Sequence, residues 1–309
     1  MGVPPPLLLL LALNQGWGTA DALVPLPSSH NLGGVLLNQW PMILTHDAAT
    51  GYLKNGLVDN WAKTQDGGLA EQLDCGARSF DLRPHLQDGK LEMHHGDIVV
   101  PHEFKDAMEE VVEWAGRNQT ELVVVYISDC TGDTACVDST LDVLSSFNIT
   151  MLGAEADIAG LTLSRAMERG RLSNGGSVLA VMNVVEENYD PSIVCYDGTR
   201  WCYGNKADEI FSAFWNYMNR TTADLPAEGR LSMVQAHWQE NADTVIAGTL
   251  LGSSLLKDEE RSKTIREVTE KLVDFPHINL IEVNNVCDGG NELLMKLRER
   301  LLSSEHKYT

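Results

Sequence analysis

Short apolar runs alternate with stretches of helical spacing along most of this chain, and that alternation restricts the fold more than any other feature. The runs are Met42 to Ala48, Ala77 to Pro84, Leu91 to Gly96, Leu122 to Ser128, Val178 to Val184, Leu231 to Trp238 and Ile278 to Val283. Leu122 to Ser128 is almost continuously β-branched or aromatic, as a parallel strand covered on both faces must be. An eighth strand is expected within Asp243 to Leu251. The intervening helix candidates are His102 to Arg117, Thr134 to Phe147, Thr162 to Arg171, Ala207 to Asn219 and Lys257 to Val273. In the first of these, Phe104, Met108, Val111, Val112 and Ala115 fall on one helical face. Asp190 to Gly204 reads as a long loop. Strand–helix alternation of this kind predicts a parallel α/β sheet, and its extent favours one TIM-type (β/α)8 barrel, irregular in places, in a single domain.

Composition supports one large core and a secretory route. The 309 residues suit one α/β barrel, and 43% of them are hydrophobic. The net charge of −21 disfavours nucleic acid and anionic bilayers as partners, and the scattered acids read as solubilising. Leu7 to Leu13 is an apolar run too short to span a bilayer, and Ala20-Asp21-Ala22 follows as a small-residue cleavage site. Residues 1–22 are therefore expected to be a signal peptide and 23–309 the barrel, secreted or lumenal. The sequons at Asn118, Asn148 and Asn219 agree with this. So does the even count of six cysteines. Cys130/Cys136 and Cys195/Cys202 can each close a short loop, while spacing leaves the pairing of Cys75 and Cys287 open. Oligomeric state is not legible.

In a parallel barrel, chemistry collects where strands end. Three strand ends are rich in ionisable groups: His46-Asp47; Asp81-Leu82-Arg83; and His94-His95-Gly96-Asp97. Asp81 and Arg83 alternate along a strand and so share a face. Polar groups on a strand buried on both sides must pair with one another. Two imidazoles, two carboxylates and a guanidinium at one mouth suit phosphodiester cleavage. One histidine takes a proton, another gives one, and the arginine holds the phosphoryl oxygens. A serine hydrolase is disfavoured because no Gly-x-Ser-x-Gly elbow occurs. A glycosidase would call for two strand-end carboxylates without the histidines.

The segments THDAATGYL, QLDCGARSFDLRP, and LEMHHGD followed by PHEF, spanning Met42 to Phe104, resemble the first half of the X-domain of phosphatidylinositol-specific phospholipases C, closest to the bacterial metal-independent type. The resemblance implies that His46 is the general base and His95 the general acid. It implies Asp81 as the carboxylate partner of His95, Arg83 as the phosphate-binding arginine and Asp47 as its companion. The implied substrate is a phospholipid or another phosphodiester, with transient membrane contact. No cofactor and no metal are implied, since Arg83 stands where the calcium-dependent branch keeps an acidic ligand. The sequence departs from the family at the last strand, where Glu282 or Asn284 replaces an aspartate that orients the base, or nothing does. It departs again where the family's pocket cations would stand, offering Ser128-Asp129 and Asn183. His237, Trp238, Gln239 and Asn183 are the candidate head-group contacts. These departures motivate an alternative, a catalytically weak barrel that binds a phospho-head group or a partner.

Overall fold

The computed structural model describes residues 32–54, 56 and 59–305. The expected signal peptide, with its cleavage after Ala22, lies outside the described residues. Among these, eight parallel strands form one curled sheet: β1 (Met42–Thr45), β2 (Ser79–Leu82), β3 (Leu122–Ile127), β4 (Thr150–Leu152), β5 (Ser177–Val181), β6 (Val185–Asn188), β7 (Leu231–Gln235) and β8 (Leu280–Val283). Their order across the sheet is β6-β7-β8-β1-β2-β3-β5-β4. All six residues of β3 are buried, as its β-branched run requires. β5 and β6 are one stretch of chain with a kink at 182–184, where Asn183 takes φ 63°. That stretch pairs with β3 on one side and β7 on the other, which carries the sheet round into an irregular (β/α)8 barrel. Arg78, just before β2, lies over the ring of Trp114 in the helix Phe104–Arg117, 4.9 Å from its centroid, and each is 1% exposed.

Three sequence expectations need correction. Asp243 to Leu251 contributes no strand. Ala242–Leu250 is a helix, because Asn241 caps it by accepting from the Thr244 N–H at 2.8 Å. The barrel's remaining strands are β4, only three residues long, and β6, whose Glu186 and Glu187 hide it from an apolar pattern. Finally, Leu91 to Gly96 does not belong to the barrel. Lys90–His95 forms a separate sheet with Pro84–Gln87, Ile98–Val100 and Thr131–Gly132. Asp88 and Gly89 both take positive φ (53° and 76°), the geometry of a tight hairpin turn, and fold this strand back on Pro84–Gln87. The Lys257 to Val273 helix is also divided, into Leu255–Ser262 and Thr264–Lys271, at Lys263 with φ 56°.

Disulfides join Cys130 to Cys136 and Cys195 to Cys202, as the spacing suggested. A third, Cys75 to Cys287, spans 212 positions and ties the segment before β2 to the segment after β8. Among the described residues no helix is long and apolar enough to cross a membrane. Asn148 and Asn219 are exposed, whereas the Asn118 side-chain amide donates to the Trp114 carbonyl at 2.9 Å.

Candidate active site at the barrel mouth

β1 ends at Thr45, and the next two residues turn into the mouth. Asp47 takes φ 42°, left-handed backbone that few non-glycine residues adopt and that Asp tolerates comparatively well. The turn is pinned from outside it: Thr64 Oγ1 donates to the His46 carbonyl at 2.6 Å. In this conformation the Asp47 N–H donates to Asp81 Oδ2 at 3.1 Å, so the carboxylates at the ends of β1 and β2 are neighbours.

Arg83 neutralises both. One guanidinium nitrogen lies 2.9 Å from Asp47 Oδ1 and another 2.8 Å from Asp81 Oδ2, while Ser128, just past β3, donates to Asp81 Oδ1. The two acids respond differently. Burial and then the charge on Asp81 push Asp47 up to about 6. Burial alone would raise Asp81 too, but Arg83 and His46 outweigh it and hold Asp81 below the usual carboxylate range.

Asp47 Oδ2 sits between two imidazoles, 3.1 Å from His46 Nε2 and 3.3 Å from His95 Nε2. The ring centroids are 6.5 Å apart. This corrects the expected pairing: the carboxylate beside His95 is Asp47, and Asp81 is taken up by Arg83, Ser128 and the Asp47 N–H. His95 reaches the mouth at the end of the hairpin strand Lys90–His95, not at the end of a barrel strand. The bond from the His94 N–H to the Arg83 carbonyl, 2.9 Å, carries it there. His94 itself turns away, its Nδ1 3.0 Å from the Gly96 carbonyl.

The choice left open at the last strand is resolved by contact. Asn284 Oδ1 lies 2.9 Å from His46 Nδ1. Glu282 instead pairs with His237 Nε2 at 3.0 Å and accepts from the Tyr189 hydroxyl at 3.2 Å. His237 is fully buried and stacks on His46, so it is not a head-group contact. Burial, and next His237, hold His46 down to about 3. Trp238 is also a packing residue, 1% exposed, with its indole N–H shared by Ser262 and Thr264. Gln239 is half-buried and bridges to Val194, and Asn183 is exposed at the kink. Sequence reasoning missed Glu259 and Tyr189, which lie on a covering helix and a loop and carry no strand-end signature.

Among the described residues, three groups bring ligand atoms within 4.8 Å of one another. One is Cys195, Glu240 and Asp258, whose sulfur is taken up in the Cys195–Cys202 disulfide. The two at the mouth are His46, His237 and Glu282; and His46, Asp47 and Asp81. In the first of these two, the imidazole planes are stacked at 13°, so their lone pairs run side by side and do not converge on an ion. In the second, the Arg83 guanidinium already spans both carboxylates. Neither set at the mouth fits a cation. A cleft of about 360 Å³ lined by Asn38, Pro41, His277 and Leu297 lies ahead of β1 and β8, away from these groups. In a parallel barrel that end serves stability rather than chemistry.

No family model matches the sequence. A PI-PLC X domain-containing protein of Dictyostelium discoideum is 31% identical over 91 residues, 29% of this chain and 16% of that protein. A 1-phosphatidylinositol phosphodiesterase of Staphylococcus aureus is 29% identical over 82 residues, 26% of each chain. The matched segments thus span about a quarter or less of these relatives. Among solved structures, a phosphatidylinositol-specific phospholipase C of Staphylococcus aureus aligns over 86% of this chain and 94% of its own, with TM-score 0.60 and 15% identity. That of Listeria monocytogenes aligns over 90% and 96%, with TM-score 0.56 and 13% identity. At these identities the structural likeness speaks for the barrel fold.

Proposed function

From the resemblance to phosphatidylinositol-specific phospholipases C, we propose that this chain is a phosphodiesterase that cleaves a phosphodiester bearing a neighbouring hydroxyl. The observation that carries the reading is a carboxylate held between two imidazoles, with a guanidinium beside it. In the proposed step, His46 Nε2 takes the proton of the substrate hydroxyl, whose oxygen attacks phosphorus. The bond from phosphorus to the leaving oxygen breaks, and His95, protonated beside Asp47, supplies the proton that the leaving alkoxide needs. Arg83 stabilises the charge gathering on the phosphoryl oxygens. The products are a cyclic phosphate and a free alcohol. Asp81 braces Arg83 and takes no part in proton transfer.

A lipid substrate is supported by exposed apolar side chains. Ile246, Leu250 and Leu251 are 62%, 83% and 64% exposed on and just after the helix Ala242–Leu250, in the connection from β7 to β8. With a net charge of −21, contact with a neutral surface is favoured over an anionic one. The alternative, a barrel that binds a phospho-head group without turning it over, draws on Asn284, an amide where a carboxylate would strengthen the base. Phosphorus NMR of products from a panel of phosphodiesters, in EDTA, separates the two. Cyclic phosphate formed without metal is the expected result. Binding without product, or product only with added calcium, contradicts it.

A further inference from the structure

Glu282 and Asn284 are two residues apart at the end of β8 and so face the same way. Each holds one imidazole of a stacked pair. Glu282 Oε2 is 3.0 Å from His237 Nε2, and Asn284 Oδ1 is 2.9 Å from His46 Nδ1. The rings lie face to face, 4.2 Å between centroids and 13° from parallel. His237 and Glu282 are both fully buried.

The partners give the two rings different protonation states. His237 has an acceptor on each side, the Glu282 carboxylate and, at 3.2 Å, the Trp238 carbonyl. An N–H towards each acceptor makes His237 an imidazolium paired with the Glu282 carboxylate; burial disfavours that form, but the hydrogen bond and charge of Glu282 outweigh it. The Asn284 amide is oriented by its own donation to Glu259 Oε1 at 2.9 Å, which leaves its oxygen for the His46 Nδ1–H. In the stack, His46 thus faces a neutral amide, and the one nearby countercharge of β8 is committed to His237.

We propose that the buried His237–Glu282 ion pair is a positioning element for His46, fixing its ring plane from below and keeping it unprotonated so that it can act as a base. A second proton on His46 would set two imidazolium rings face to face, with Glu282 already committed to His237 and Asp47, 3.1 Å from His46 Nε2, shared with Arg83 and His95. The shift of His46 far below its ordinary value, caused by burial and then by His237, agrees with this geometry. The other charged or titratable groups around His46 are Asp47 on its own turn, Asp81 and Arg83 from β2, and His95 from the hairpin. Glu259 lies beyond Asn284. The inference rests on the reading of His46 as the base, and it adds a residue that touches no substrate.

The test uses the full chain and two readouts. His237→Gln removes the cation and strands the Glu282 charge beneath His46. The imidazole midpoint of His46, followed by nitrogen NMR, should rise by roughly one pH unit or more. The acidic limb of the kcat/KM profile should move with it. The double variant His237→Gln/Glu282→Gln removes the stranded charge and should bring both midpoints back down, although it disturbs the packing more. If His237→Gln does not fold, His237→Phe keeps the stack, strands the same charge and carries the same expectation. An unmoved His46 midpoint in the single variant, or a double variant shifted as far as the single, overturns the proposal. The NMR readout needs no turnover. A shifted midpoint in a protein inactive on every phosphodiester would refute the proposed function and leave the positioning role standing.

Discussion

Asp47 in left-handed backbone sets one oxygen against Arg83 and the other between His46 and His95. The motifs made this convergence legible, because ionisable residues on strands buried on both faces have nowhere else to find partners. They did not reveal which carboxylate serves which histidine, since that depends on the turn after β1 and the hairpin after β2. The role of His237 was hidden for a similar reason. Its partner Glu282 is 45 positions away, and only the sheet order brings β7 beside β8. Glu240 shows what a carboxyl without partners does. Both its oxygens are buried and without hydrogen bonds, and burial followed by the charges of Asp258 and Glu259 pushes it up to about 9. A raised carboxyl favours the folded state only while it is protonated. Its contribution is complete below the usual Glu range and is lost as pH rises through about 9. Glu240→Gln should therefore gain thermal stability over the parent protein as pH is raised from 6 to 9. A melting-temperature difference that stays constant over that interval contradicts this account of Glu240.

The strand β2 shows how position decides the use of one residue type. Arg83 lies just beyond its C-terminal end and faces the mouth. Arg78 lies just before its N-terminal end, 1% exposed, with its Nε donating to Glu121 Oε2 at 2.9 Å. Arg298 of the C-terminal helix reaches Glu121 Oε1 at 3.0 Å. Glu121→Gln should leave the buried Arg78 without its countercharge and cost about 3–5 kcal/mol of stability. Urea unfolding measures this, and a loss below about 1 kcal/mol, as for an exposed pair, would contradict it. Elements with a strong pattern were readable from sequence. β3 is continuously apolar, and the helix Phe104–Arg117 keeps one buried face. β4 is too short to show a period, and β6 is a polar edge strand that exists because β7 offers it a ladder.

Across the whole molecule, the alternation of strands and helices was enough for the barrel, but closure depended on the kink that joins β5 to β6. The Cys75–Cys287 bridge likewise joins segments no spacing rule connects. Closing 212 positions restricts the unfolded chain by about 5 kcal/mol in the chain-entropy description, against about 2 kcal/mol for each local bridge. Replacing Cys75 and Cys287 by Ala should lower the urea midpoint more than replacing Cys195 and Cys202. The reverse order would contradict the entropic account. The central claim is that His46 and His95 divide base and acid between them across Asp47. Either alanine variant should lose roughly 10²–10⁴ in kcat while remaining folded. The direct measurement is turnover of each variant on a substrate whose leaving group needs no proton. The account predicts that such a substrate restores His95→Ala selectively and leaves His46→Ala impaired. Equal recovery of both variants, or a His46→Ala protein with normal turnover, would contradict it.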